Sequence, residues 1–271
     1  MTHPPLVPNL IATPGIHETR LRDRFGDRFA FDGTAPEFSG PLVLLGFFNR
    51  SGSNVLSRHL KGTRGFGGFT EQLNHPVVCK VSDRQGLTSF PDYFRSIQAK
   101  HLHRPRQVHG FKASWDQVLM LKRARIDRMY DGMRLLHILR ADLVAQAVSL
   151  VIARQTQQWT SEQEARTEVE PVYDAAQIAQ AVQACAEAET RMRMLAEILG
   201  LPYLRVTYED LDRDPIPVMQ TVGQFVGRDL SGWTPEPLPI KRQATGRNEA
   251  WRARYLAETA QALTCPGPVE A

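Results

Sequence analysis

Residues 42–48, LVLLGFF, form a short and continuously apolar run. A strand buried on both faces of a parallel sheet reads this way, whereas a half-exposed hairpin strand alternates. The run stops at the polar, glycine-containing stretch 49–54. The following VLSRHLKG puts Val55, Leu56 and Leu60 at helical spacing, with Gly62 where a C-cap glycine belongs. Strand, tight loop and helix make the first unit. Residues 108–112 and 134–139 predict two more strands, followed by helices over 115–125 and from Asp142 onward. The clearest helix is 174–199: Asp174 is its N-cap, Ile178, Val182, Cys185, Met192, Leu195 and Leu199 share one stripe, and Gly200 follows. A last strand falls at 204–207.

This alternation predicts a single α/β domain around a mainly parallel sheet flanked by helices. Residues 1–38 mix Pro, Gly and charge without sustained periodicity and read as an N-terminal arm laid over the core or a partner. A short helix over 17–25 and little chemistry are expected there, and the domain proper spans 39–271. Residues 157–173 and 232–247 read as long loops, a length that in a compact domain goes with function or mobility.

Composition narrows the class. At 271 residues, 42% hydrophobic and 23% charged, the chain is long enough for a real core. No apolar run approaches the roughly 18 to 20 residues of a membrane span. The first fourteen residues lack a basic stretch leading into an apolar one, so a cytoplasmic location is expected. The three cysteines, Cys79, Cys185 and Cys265, lie far apart with no metal-ligand or redox spacing, and no metal is expected. A net charge of +4, spread along the chain, is no nucleic-acid footprint.

The candidate chemistry begins at the first loop. A glycine-containing turn between a buried strand and a helix aims backbone N–H groups at one spot, where the helix dipole adds to them, so GFFNRSGSN is a cradle for an anion. It is not a Walker loop: five residues instead of four separate Gly46 from Gly52, and Ser53 occupies the place of the lysine. Arg50 supplies a fixed charge, and Ser51 and Ser53 supply hydroxyl donors. Arg140 ends a strand, and Ser149 lies about two and a half helical turns further on; both can face one ligand edge, although an arginine there is as readily an ion-pair residue. Lys241, Arg242 and Arg247 sit in a Pro/Gly-flanked loop able to close over a phosphate, or to lie in water as a basic stretch.

The blocks FFNRSGSNVLSRHL, FTEQLN, LRADLVAQAVSLVIARQTQQW, VTYEDL and RQATGRNEAWRARY, in this order over residues 40–258, resemble the Stf0 group of bacterial carbohydrate sulfotransferases. The resemblance implies a P-loop-like fold, a homodimer and 3′-phosphoadenosine 5′-phosphosulfate (PAPS) as sulfuryl donor, without a metal. It gives Arg50, Ser51, Gly52, Ser53 and Asn54 to the 5′-phosphosulfate, Arg140 and Ser149 to the 3′-phosphate, and Arg242 and Gln243 to the covering loop. Asn54 replaces the commoner threonine and Asn49 the usual proline, departures that bear on donor affinity.

Glu71, in FTEQLN, resembles the family's proposed catalytic base, and a hydroxyl attacking sulfur needs one. Lys112 is a candidate to stabilise charge on the leaving group, or a strand-end lysine reaching water. Trp115 and Trp159 can stack on a sugar or fill the core. Tyr208 can serve the donor's adenosine or simply open a helix with an acidic first turn. The acceptor implied is a carbohydrate or glycolipid, chosen by the segments 76–107 and 157–173. The rival readings are a nucleotide-dependent phosphotransferase, disfavoured by the missing Walker lysine, and a non-catalytic nucleotide- or polyanion-binding protein.

Overall fold

The computed structural model describes residues 8–101, 107–159, 170–236 and 246–264. In chain order its elements are α1 (Asn9–Ala12), α2 (Ile16–Phe25), β1 (Leu42–Gly46), α3 (Ser53–Gly62), β2 (Phe66–Gly68), α4 (His75–Gln85), α5 (Phe90–His101), β3 (Val108–Ala113), α6 (Trp115–Arg123), β4 (Met133–Leu139), α7 (Leu143–Thr156), α8 (Ala175–Ile198), β5 (Tyr203–Thr207), α9 (Tyr208–Arg213), α10 (Pro215–Val226) and α11 (Gly246–Thr264). The five strands are all parallel, in the order β2-β3-β1-β4-β5.

Every residue of β1 is buried because helices cover both faces of the sheet. Successive side chains go to opposite cores: Leu42 and Leu44 join Phe111, Leu121, Leu135 and Met192, while Val43 and Leu45 join Leu56, Leu60, Leu136 and Met219. The connection from β1 leads to one edge of the sheet and the connection from β3 leads to the other side of β1. The loops at the carboxyl ends of these two strands therefore open at a topological switch point, where open α/β sheets hold their ligands.

The N-cap reading of Asp174 holds, its side chain accepting the Gln177 N–H at 3.0 Å, and Asp142 caps α7 in the same way by accepting the Ala145 N–H at 2.9 Å. Several boundaries differ. The apolar run 42–48 is a strand only to Gly46, because Arg50 and Gly52, at φ 68° and 89°, turn the chain out of the sheet just beyond it. Gly62 is the last residue of α3 and not its cap, since Thr63 stays helical and the left-handed reversal falls at Arg64, φ 58°. α6 stops at Arg123 ahead of the left-handed Arg125. Strand β2 has no counterpart in the sequence reading: two of its three residues are glycines, and a Cβ on Gly68 would come within 2.3 Å of the Gly110 carbonyl oxygen.

The stretch ahead of β1 lies over the core and completes it, with Leu21, Phe25, Phe29 and Phe31 all buried in the larger cluster and Phe29 stacked on Phe90 at 5.3 Å. Among the described residues, no helix is long and apolar enough to cross a membrane.

Inside the sheet, His137 on β4 is 2% exposed and pairs through Nδ1 with the Tyr203 hydroxyl at 2.8 Å. Burial, aided by Arg205, pushes its pKa from 6.5 to about 4. The folded protein thus keeps this ring neutral where the unfolded chain protonates it, so stability falls as pH drops from 6.5 towards 4. The slope from this one proton reaches about 1.4 kcal/mol per pH unit. Urea titrations at stepped pH should show it, and His137→Gln should flatten that part of the profile.

Candidate active site

Loop 47–52 joins β1 to α3. Its start is held by the Phe47 N–H, which donates to the Ala113 carbonyl at 3.1 Å, and by Gln146 of α7, whose Nε2 donates to the Asn49 carbonyl at 2.9 Å. Gly52 takes the N-cap position of α3 with no side-chain cap, which leaves first-turn amides for another acceptor. Beside them Ser51 Oγ is buried and has no hydrogen-bond partner among the described residues. A buried hydroxyl left unsatisfied costs about 1–3 kcal/mol; an anion seated on the loop would satisfy it.

Gly52 is dictated by its surroundings. Its φ of 89° favours glycine, and a Cβ there would lie 2.4 Å from Cδ2 of Tyr208. Gly52→Ala should therefore displace Tyr208 or the loop and weaken binding of an anion at the loop at least tenfold, as read by calorimetry, with only a modest change in melting temperature.

One side of the loop gathers cations. Arg50 Nε donates to Ser149 Oγ at 2.8 Å and its Nη1 to the Trp159 carbonyl at 2.8 Å. Arg140 lies over the Tyr208 ring, 5.3 Å from its centre, and its buried Nε has no hydrogen bond among the described residues. Glu209 is 3.8 Å from that Nε, but its carboxylate is already taken by the N–H groups of Ala141 and Asp142 at 2.9 and 3.3 Å. Burial, and then the neighbouring charge of Arg140, hold the Arg50 guanidinium below its ordinary pKa, with Tyr208 opposing. Two crowded guanidiniums fit an anion held between them.

The other side of the loop carries a carboxylate. Lys112, next to last in β3 and 4% exposed, donates from Nζ to Glu71 Oε1 at 2.6 Å and to Asn54 Oδ1 at 2.8 Å, with the Phe47 ring centre 4.4 Å away. Burial lowers the pKa of this ammonium while Glu71 raises it. Glu71 is 46% exposed, so one end of the pair is anchored inside and the other opens to a ligand. The loop carrying it is tied down where the Lys112 N–H donates to the Thr70 carbonyl at 3.1 Å.

The structure thus brings together Arg50, Ser149, Arg140 and Tyr208 on one side and Asn54, Lys112 and Glu71 on the other, with Ser51, Gly52 and Ser53 between. The Arg50 side chain joins the group that the resemblance gives to the 3′-phosphate, and Asn54 is engaged by Lys112. Trp115 belongs to neither cluster: it packs against the larger core with Arg191 4.9 Å from its ring. Trp159 meets Arg50 through its backbone carbonyl, while its ring packs beside α7 and α8. Tyr208 opens α9, whose N-cap is Thr207 and whose first turn is acidic, and it also borders the loop. Lys241, Arg242 and Gln243 lie outside the described residues, and Arg247 pairs with Glu170 at 2.7 Å. Sequence reasoning missed Phe47, because nothing in its local pattern sets it apart from a core residue, and it met Gln146 and Glu209 only as parts of longer blocks, without their partners. Among the described residues, no cluster of three or more His, Cys, Asp or Glu side chains is arranged to hold a metal ion.

Strand order and loop together define a P-loop-like α/β fold. The family model of the Stf0 sulphotransferases matches residues 43–258, and the chain belongs to that family. The trehalose 2-sulfotransferase of Mycobacterium tuberculosis (strain ATCC 35801 / TMC 107 / Erdman) is 30% identical over 169 residues, which cover 57% of this chain and 62% of that protein. The trehalose 2-sulfotransferase of Mycolicibacterium smegmatis (strain ATCC 700084 / mc(2)155) is 28% identical over 199 residues, covering 68% and 72%. Among solved structures, the sulfotransferase domain of the Synechococcus PCC 7002 olefin synthase shares the fold, with a TM-score of 0.52 at 16% identity over 88% of this chain and 98% of that one.

Proposed function

We propose that the protein transfers the sulfuryl group of PAPS to a hydroxyl of a carbohydrate or glycoconjugate. The observation that carries this reading is Lys112, buried at the end of β3 and bonded at once to Asn54 beside the loop and to Glu71. That arrangement sets a fixed cation and a proton acceptor side by side, next to a cradle that fits a polyanion. The paired guanidiniums of Arg50 and Arg140 suit the nucleotide's 3′-phosphate, and the amides of α3 with Ser51 suit its 5′-phosphosulfate.

In the reaction the acceptor oxygen bonds to sulfur as the bond from sulfur to the phosphate oxygen breaks. The hydroxyl proton passes to a Glu71 oxygen, and the electron pair of the broken bond stays on the phosphate. Lys112 and the loop amides offset the charge that develops there without reorganising. The match to two trehalose 2-sulfotransferases supports a carbohydrate acceptor.

The test is transfer from sulfur-labelled PAPS to a panel of mono- and disaccharides without magnesium, with products identified by mass spectrometry. A sulfated sugar formed by the wild type is the expected result. Labelled PAPS that is bound but yields no sulfated acceptor from any sugar would refute the carbohydrate assignment.

A further inference from the structure

Glu71 lies on the segment that runs from β2 into α4, and this segment is tied down by four different elements. β3 holds the Thr70 carbonyl through the Lys112 N–H, α5 holds the Gln72 carbonyl through the Tyr93 hydroxyl at 2.6 Å, and α6 holds Asn74 Oδ1 through Gln117 Nε2 at 2.8 Å. The fourth tie comes from the N-terminal segment, where the sequence suggested little chemistry. His17 of α2 accepts the N–H of His75, the first residue of α4, at 3.0 Å on Nδ1, and the same nitrogen lies 3.0 Å from Nδ1 of His75.

The third and fourth ties are linked. Asn74 is the N-cap residue of α4, and an asparagine there normally accepts one of the helix's first amides. Here it makes no cap bond, because its oxygen is engaged by Gln117. His17 supplies an acceptor from another helix instead. A ring nitrogen that accepts a backbone N–H has a lone pair and no proton, so His17 is neutral with its proton on Nε2, and His75 donates its Nδ1–H to it. The groups that face His17 are His75 of α4 and Asp116 of α6. Burial is the main force holding its pKa down, His75 adds to that, and Asp116 opposes it. The seat of α2 is fixed as well: a Cβ on Gly15 would lie 2.0 Å from Asp116 Oδ2, so only glycine lets the helix start this close to α6.

We propose that His17 is a positioning residue for the transfer reaction: as an acceptor-only cap of α4 supplied by the N-terminal helix, it fixes the segment that presents Glu71 to the acceptor hydroxyl. This rests on the reading of Glu71 as the base. A proton on Nδ1 would remove the acceptor and set His17 against the His75 N–H.

The test compares wild type, His17→Ala and His17→Asn, the last placing an amide oxygen near the position of Nδ1. His17→Ala should lower kcat about tenfold, since misplacing a catalytic group by a fraction of an ångström costs that much, with donor KM and affinity for the desulfated donor unchanged. His17→Asn should restore kcat to within about twofold of wild type. Equal kcat in His17→Ala and wild type, or no rescue by a folded His17→Asn, would overturn the proposal.

Amide exchange at residues 71–75 against that in α8 reads the same effect without turnover. Faster exchange confined to 71–75 in His17→Ala supports positioning even if the wild type transfers no sulfuryl group, an outcome that would count against the reaction alone. Should His17→Ala not fold, long-range proton–nitrogen spectra of the wild type decide: His17 neutral with a bare Nδ1 at pH 7 supports the cap, and a proton on that nitrogen overturns it.

Discussion

Replacing Lys112 by alanine should lower kcat by about 10²–10³-fold, the cost of removing one preorganised group that stabilises developing charge. The effect is large because the ammonium is 4% exposed, where a charge acts at a lower effective dielectric than in water. Its position is also set from three directions, by Asn54, Glu71 and the Phe47 ring. Lys112→Arg should not rescue activity: the planar fork is longer than the ammonium and does not fit between two acceptors and a ring 4.4 Å away. Affinity for the desulfated nucleotide should fall far less than kcat in both variants, because the guanidinium pair lies on the other side of the loop. Single-turnover kinetics beside calorimetry would separate the two effects, and an equal loss in both would move Lys112 from the reacting end of the donor to its binding.

Glu71→Gln should lower kcat by about 10²–10⁴-fold, the range for loss of a positioned general base. Glutamine keeps an oxygen for Lys112, so the buried ammonium retains an acceptor and the fold should survive. Nucleotide affinity should stay within about threefold of wild type, because a base that touches only the acceptor hydroxyl adds little to donor binding. If Glu71→Gln keeps kcat within about threefold of wild type, another group is the base.

The fold was legible where burial is uniform. Strand β1 is a continuous apolar run and β4 nearly so, because helices cover both faces of the sheet there, and the cap Asp174 announces the helix behind it. Strand β2 was not, because a three-residue segment with two glycines has no side-chain alternation to read. Helix α4 was hidden for a related reason: only Val78 and Ser82 of its eleven residues are buried, too few to mark a stripe.

The site divides along the same line. The loop 50–54 stands out by residue type, Arg140, Ser149 and Lys112 are each open to a plain structural reading, and Glu71 is marked by the family resemblance of its block; the structure brings them together. Partnership was not readable, since Lys112 meets Glu71 across 41 residues and Arg50 meets Ser149 across 99. Pairs at such separations are set by strand order, which no local pattern encodes. The contact of the Arg50 side chain with Ser149, from a left-handed backbone at φ 68°, could not be inferred from the loop's composition.

Loop 50–54 and the guanidiniums of Arg50 and Arg140 together should bind a phosphorylated adenosine donor. Calorimetric titration with 3′-phosphoadenosine 5′-phosphate, without magnesium, tests it most directly, with Arg140→Ala as the control. One site per chain is expected in the wild type, with at least about tenfold weaker binding in the control, where a charge-assisted contact is lost. No binding by folded wild-type protein, or equal binding by the control, would contradict it.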